Sequence, residues 1–207
     1  LLVTSVVFIV AMGLWTNYFN ELADLPNNMQ EAFEMIMRNP LGIIAVVIMA
    51  PIVEELLFRG AIQGHLLRKW KHPAGAIVLS SLIFGIVHGN WVQAPFAFVT
   101  GLALGWIYYR TGSLLPGILM HFVNNRAAVA SFLLADDPNA TMVSTYGQTG
   151  AALMAAGGMA LTIICVLFIQ KKLVPQPAVW HQPAQAEAIE IENNTLSSQT
   201  HSHNENI

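Results

Sequence analysis

The run PIVEELLFR at residues 51–59 places two carboxylates and one guanidinium inside an apolar segment that extends from Leu41 to about Trp70. Residues 41–53 carry no charge at all. An ionisable side chain deep in a membrane helix costs roughly 2.5–3.5 kcal/mol on insertion scales. Three such side chains are tolerated only where they pair with one another or face protein or water. The run therefore predicts a polar cluster that the protein uses.

The composition excludes an ordinary soluble globule. Of 207 residues, 55% are hydrophobic and only 10% are charged, and the mean hydropathy is +0.54. Soluble domains are about 25% charged, so this chain could not cover a core with polar surface. The net charge of −3, without a basic cluster interleaved with aromatic residues, gives no support for nucleic-acid binding. The composition predicts an integral membrane protein whose first partner is the lipid bilayer.

Six apolar runs are long enough, or nearly so, to cross a bilayer. They lie at about 1–18, 41–70, 73–89, 94–109, 114–134 and 150–170. The fold class is therefore predicted to be all-α, a polytopic membrane helix bundle of about six transmembrane helices over residues 1–173. Within residues 19–40 the apolar positions recur at helical spacing, which predicts an amphipathic helix at the interface. Because Leu1 opens directly in an apolar run, we expect the chain to be N-terminally truncated.

The loops between these runs alternate in charge. Basic residues lie in 59–72, at 110 and at 171–172, whereas 19–40, 89–94 and 135–149 are acidic or uncharged. Lys and Arg favour the cytoplasmic side of a membrane, so we expect the basic loops to be cytoplasmic. Residues 174–207 are rich in Pro, Gln, Asn, Ser and Glu, which predicts a disordered polar cytoplasmic tail.

The three charges of the run differ in their expected roles. Glu55 and Arg59 are four residues apart, so they share a helix face and can form an ion pair. Glu54 lies about 100° around the helix from Glu55, given 3.6 residues per turn. It is therefore presented on another face without Arg59 as a local partner, and a bend at Pro51 would set its direction. We interpret Glu54 as the functional carboxylate, with a purely structural network as the alternative.

Two later helices carry further polar candidates. Phe84 and His88 are four residues apart, as are His121 and Asn125, so each pair shares a helix face. An imidazole and an amide aligned in this way can stabilise an oxyanion. A lone histidine in an apolar helix is also often a satisfied core residue.

Together these residues resemble a known family. Glu-Glu-x-x-x-Arg at 54–59, Phe-x-x-x-His at 84–88 and His-x-x-x-Asn at 121–125 are similar to the three motifs of the CPBP family. This is the family of CAAX proteases and bacteriocin-processing enzymes, which includes the type II CAAX prenyl endopeptidases. The resemblance covers about residues 41–134, with the motifs in order and each on its own predicted helix.

The resemblance implies an intramembrane endopeptidase whose active site lies inside the helix bundle. It implies that Glu54 is the general base that activates water and that His88 assists it. His121 and Asn125 would stabilise the tetrahedral oxyanion. Glu55, Arg59 and Phe84 would support the site.

The cofactor stays open at this point. Family members are described as metalloproteases, yet the same side chains can be interpreted as activating water without a metal. Glu54, His88 and His121 could form a Glu-His-His zinc site with one open position. Zinc is therefore one of two expectations.

The implied substrate is a protein or peptide at the membrane, and the implied location is a bacterial plasma membrane. Bacteriocin maturation, self-immunity and membrane-protein turnover are the candidate processes. A non-catalytic binding or immunity scaffold would keep the polar cluster for structure alone. A proton or ion carrier would use Glu54, His88 and His121 as a relay, but no inverted repeat supports it.

Overall fold

The computed structural model describes residues 1–70, 72–134 and 140–173, and every regular element in these ranges is a helix. The predicted all-α class is confirmed. The predicted tail at 174–207 lies outside the described residues. The helices are α1 Leu2–Ala23, α2 Gln30–Met37, α3 Pro40–Lys69, α4 Pro73–Val87, α5 Gln93–Thr111, α6 Leu115–Leu134 and α7 Met142–Lys172.

Each predicted apolar run is a helix, and the amphipathic segment contains the short α2. Among the described residues, the helices long and apolar enough to cross a membrane are α1, α3 and α7, and α4 is a shorter apolar helix. All three long helices expose large apolar side chains, as expected for surfaces that face lipid. The polytopic bundle is therefore confirmed as a class, whereas six membrane crossings stay a prediction.

Two helices are longer than the hydrophobic runs predicted. Helix α1 continues past Tyr18 and ends where Asp24 adopts a left-handed conformation with φ 46°. Helix α7 begins after Thr141, which forms a capping box with Ser144, and it is interrupted by non-helical geometry at Gly147. Both extensions mix polar and apolar side chains. Their helical structure comes from capping and from the carboxylate of Glu21, which accepts hydrogen bonds from the Val143 N–H at 3.2 and 3.3 Å.

Helix α3 changes its hydrogen-bonding register on either side of Pro51. It contains π-helical segments at Ala45–Met49 and Leu56–Gln63. Proline has no N–H, and its ring clashes with the carbonyl four residues earlier, which is that of Val47. In the first segment the Ala50 N–H bonds to the carbonyl of Ala45, five residues back. In that register the carbonyl of Val46 would accept a hydrogen bond from the N–H of residue 51, and Pro51 has no N–H.

Small residues let the central helices approach closely. A Cβ at Gly101 on α5 would lie 3.0 Å from the Cβ of Ser81 on α4, and a Cβ at Gly105 would lie 2.6 Å from Gln63 on α3. The small residues Gly101 and Gly105, four apart on one face of α5, therefore let this helix pack closely against both neighbours.

Helices α1 and α7 pack against each other along the outside of this centre. A Cβ at Gly158 of α7 would lie 2.6 Å from the carbonyl oxygen of Ala11 and 2.8 Å from the Cβ of Leu14. The side chain of Trp15 also donates a hydrogen bond to Thr162 at 3.2 Å. This pair of helices depends on the absence of a side chain at Gly158.

Contacts between helix ends agree with the alternating order of loops. The α1–α2 loop contacts the α4–α5 turn through Asn28 and Gly89. Glu21 near the end of α1 contacts Val143 at the start of α7. At the opposite ends, Arg110 donates to the carbonyl of Gln170 at 2.7 Å. These contacts place the acidic and uncharged loops together and the basic ends of α5 and α7 together, which is consistent with the charge pattern.

Gly158 and its neighbour Gly157 provide a matched test of the α1–α7 contact. We expect Gly158→Ala to lower the free energy of unfolding by about 1–3 kcal/mol, because its Cβ would overlap the α1 backbone. A Cβ at Gly157 would have no neighbouring atom within 4 Å, so Gly157→Ala should be neutral or stabilising by up to about 1 kcal/mol. Equal unfolding midpoints for the two variants in detergent would contradict this packing.

Candidate active site

A buried ion pair lies at the centre of the candidate site. Arg59 Nη1 donates to Glu55 Oε1 at 2.8 Å, and both side chains are about 1% exposed. Arg59 Nη2 also donates to the carbonyl of Gly101 on α5 at 3.3 Å. Its guanidinium carbon lies 4.4 Å from the centroid of the Phe84 ring. The predicted pairing of Glu55 with Arg59 is confirmed, and the pair fastens α3 to both α4 and α5.

His121 connects this pair to the second carboxylate. Its Nδ1 lies 3.2 Å from Glu55 Oε1, and its Nε2 lies 3.7 Å from Glu54 Oε2. The latter distance is too long for a hydrogen bond. The close approach of α6 depends on Gly117, since a Cβ there would lie 3.0 Å from Glu55 Oε2.

Glu54 differs from Glu55 as the helix geometry predicted. Its side chain is about 30% exposed, whereas that of Glu55 is buried. Within the part of the chain that the structure describes, Glu54 forms no ion pair with Arg59, and its Oε2 accepts no hydrogen bond. Glu54 is therefore a partly accessible carboxylate beside a buried imidazole.

The Phe84 ring brings the two histidines into one cluster. Its centroid lies 4.8 Å from that of His88 and 5.7 Å from that of His121, both in edge-to-face arrangements. The Phe58 ring packs against it from α3 at 5.0 Å. Helices α3, α4 and α6 thus meet around one aromatic side chain, so the residues of all three predicted motifs come together.

His88 is oriented by its own helix. Its Nδ1 lies 2.7 Å from the carbonyl oxygen of Phe84. Because a carbonyl only accepts hydrogen bonds, Nδ1 carries the proton in the neutral ring and Nε2 keeps a lone pair. Across the described ranges, His88 makes no hydrogen bond or ion pair with Glu54. The structure places His121 beside Glu54 instead.

Asn125 contacts α3 about two turns before the carboxylates. Its Nδ2 donates to the carbonyl of Val46 at 2.9 Å, the carbonyl left without a helical partner by Pro51. A side-chain amide has two N–H donors, so one of them stays available. Asn125 therefore completes the hydrogen bonding of α3, a role that the sequence did not indicate.

Gln63 was also missed by the sequence analysis. It is fully buried one turn after Arg59, and its Nε2 donates to the carbonyl of Gly105 at 2.8 Å. The four-residue spacing from Glu55 through Arg59 to Gln63 could have identified it. The last two of these side chains donate to backbone carbonyls of α5, those of Gly101 and Gly105.

The predicted zinc ligands Glu54, His88 and His121 do not form a metal site as they are placed. Among residues 1–70, 72–134 and 140–173, no three His, Cys, Asp or Glu side chains are arranged to hold a metal ion. Glu55 is already engaged by Arg59 and His121. This arrangement does not test whether the protein binds zinc, so zinc binding stays a prediction.

Known proteins match the part of the chain that contains this site. Residues 37–127 match the family model "Type II CAAX prenyl endopeptidase Rce1-like". The chain is similar to "Putative membrane peptidase YdiL" of Bacillus subtilis (strain 168), with 33% identity over 102 residues, or 49% of this chain and 41% of the relative. It is also similar to "Membrane-embedded CAAX protease MroQ" of Staphylococcus aureus (strain USA300), with 30% identity over 112 residues, or 52% and 45%. The matched region thus spans less than half the length of either relative, and no solved structure matches significantly.

Pro51 and Asn125 should be energetically coupled. We expect Asn125→Ala to cost about 1–3 kcal/mol of unfolding free energy, because the Val46 carbonyl then has no donor. In a Pro51→Ala background the helix regains an N–H, so the same substitution should cost less. Unfolding of the two single variants and the double variant in detergent measures this coupling. Strictly additive losses would show that the Val46 contact is not tied to Pro51.

Proposed function

We propose that the protein is an intramembrane endopeptidase of the CAAX protease and bacteriocin-processing family, because residues 37–127, which contain the site, match the family model for type II CAAX prenyl endopeptidases. Its substrate would be a membrane-associated protein or peptide. The observation that carries the proposal is Glu54, a partly exposed carboxylate in an apolar helix, 3.7 Å from the buried His121. A carboxylate kept at such a cost is expected to be in use.

Glu54 is the proposed general base. It removes a proton from water as the water oxygen attacks the carbonyl carbon of the peptide bond. The same proton can then pass to the leaving nitrogen as the C–N bond breaks. His88, with its Nε2 lone pair free, is the proposed assistant in these transfers. The contact between His88 and Phe84 keeps that nitrogen in the acceptor form.

His121 and Asn125 are the proposed oxyanion donors. In its imidazolium form His121 donates from Nδ1 to Glu55 and still presents the N–H of Nε2. Asn125 uses one N–H for Val46 and keeps the other. Removal of one oxyanion donor typically lowers kcat by about 10²–10³. Glu55 and Arg59 act through His121 and are positioning residues.

The proposed location is a bacterial plasma membrane, with the basic loops on the cytoplasmic side. Bacterial relatives and the apolar helices support the membrane assignment. The sequence motifs favour neither a prenylated nor an unmodified substrate, so both belong in the assay.

A non-catalytic scaffold is the competing function. It is supported by the complete burial of Glu55, Arg59 and Gln63, which needs no reaction to explain it. It does not explain Glu54 Oε2, a buried oxygen without a hydrogen-bond donor among the described residues, because a structural carboxylate oxygen in such a place is expected to have one.

Replacement of Glu54 tests the proposal. We expect Glu54→Gln to keep the fold and to lower peptide cleavage in proteoliposomes by at least about 10², because Gln cannot accept the proton. Probes are a fluorogenic peptide with a farnesylated CAAX end and its unmodified counterpart. Glu31→Gln, on the exposed face of α2, is the matched control and should cleave normally. Cleavage by Glu54→Gln at the wild-type rate would refute the assignment.

The natural substrate can be sought with the same variant. Membrane proteomes of cells that express the wild type or Glu54→Gln should differ only in the cleavage fragments of the substrates. Chelator treatment of the purified protein tests the zinc prediction in parallel. Loss of cleavage that added zinc restores would support a metal, and unchanged cleavage would support direct activation of water by Glu54.

A further inference from the structure

The turn that carries His88 is fastened by a loop about sixty residues earlier in the chain. Asn28 Nδ2 donates to the carbonyl of Gly89 at 3.0 Å, and the Trp91 N–H donates to Asn28 Oδ1 at 3.1 Å. One side-chain amide therefore bridges two backbone groups of residues 88–92, the turn between α4 and α5. A matched acceptor and donor in one amide fix both the distance and the orientation of that turn.

A second asparagine pair supports the same turn. Asn90 is 2% exposed, and its Nδ2 donates to Asn27 Oδ1 at 2.9 Å. The carbonyl of Asn90 accepts hydrogen bonds from the N–H groups of Gln93 and Ala94, at the start of α5. Asn27 therefore acts only as an acceptor toward the turn, whereas Asn28 must both donate and accept.

His88 depends on this turn because it lies just beyond the last helical residue of α4. On its N-terminal side the ring is held by the carbonyl of Phe84. On its C-terminal side the next residue is Gly89, with φ +62° and nothing within 4 Å of a Cβ position. The backbone there is permissive. The Gly89 N–H donates to the carbonyl of Ile86 at 3.1 Å, and the contact of Gly89 and Trp91 with Asn28 joins this side of His88 to the α1–α2 loop.

We propose that Asn28 is a positioning residue for His88. It holds the 88–92 turn so that the imidazole keeps its Nδ1 on the Phe84 carbonyl and presents Nε2 to the reaction. The inference rests on the proposed function for its catalytic consequence, but the effect on the ring is independent of catalysis. Asn27 and Asn28 are both exposed, so substitutions there leave the core of the bundle intact.

The two neighbouring asparagines allow one chemical change to be tested at two positions. Asn28→Asp places a carboxylate oxygen against the carbonyl of Gly89 and should release the turn. Asn27→Asp keeps an acceptor for Asn90, adds the same charge one residue away and should leave the turn in place. Asn28→Ala removes both contacts without adding charge and should behave like Asn28→Asp.

The first readout is the ¹⁵N spectrum of histidine-labelled protein in detergent, with the His88 signal assigned from His88→Gln. We expect the tautomer signature of His88 to be unchanged in Asn27→Asp and averaged in Asn28→Asp and Asn28→Ala. The second is cleavage of the fluorogenic peptide. There kcat should fall by about 10–10² in both Asn28 variants with KM nearly unchanged, as for a misplaced catalytic group.

The outcomes separate the two proposals. Equal behaviour of Asn27→Asp and Asn28→Asp in the spectrum overturns the positioning role, as does an altered spectrum with unchanged kcat. If the wild type cleaves no probe, the proposed function fails, and the spectrum alone decides whether Asn28 orients the ring.

Discussion

The buried ion pair between Glu55 and Arg59 is the interaction on which the site depends. Two charges removed from water cost several kcal/mol each unless each has well-placed partners. Here Arg59 reaches Gly101 on α5 and the Phe84 ring on α4, and Glu55 reaches His121 on α6. The requirement to satisfy one pair thus determines how three other helices pack against α3. Glu54, one residue earlier, is left on the adjoining face with its side chain about 30% exposed.

Helix α3 supports this arrangement with an irregular backbone. Pro51 removes a donor just before the carboxylates, and the π-helical segments on both sides change which face each side chain occupies. Asn125 supplies the donor that Val46 needs. The residue assigned to the oxyanion by family resemblance is therefore also part of the support for the helix that carries the base. Asn125 therefore contributes both to stability and to the proposed catalysis, so its substitution is expected to affect both.

Helical spacing predicted the features that lie within one helix. It did not predict the contacts between helices. The four-residue interval between Glu55 and Arg59, and the offset of Glu54, follow from helical periodicity alone, and the apolar runs predicted the helices. By contrast, the approach of His121 to both carboxylates depends on Gly117, and the ends of α1 and α7 depend on Glu21 and Val143 meeting. The amide of Asn28 lies 61 residues from Gly89. Such pairs depend on how the helices pack, which no periodicity in one sequence encodes.

The central claim is that Glu55 and Arg59 act as one unit, and a double-mutant cycle on unfolding in detergent tests it most directly. Glu55→Gln and Arg59→Met should each lower the free energy of unfolding by about 3–5 kcal/mol, because each leaves a buried charge unpaired. The double variant removes both charges, so its loss should be smaller than the sum of the two by about 2 kcal/mol or more. Additive losses, or single variants as stable as the wild type, would contradict the claim.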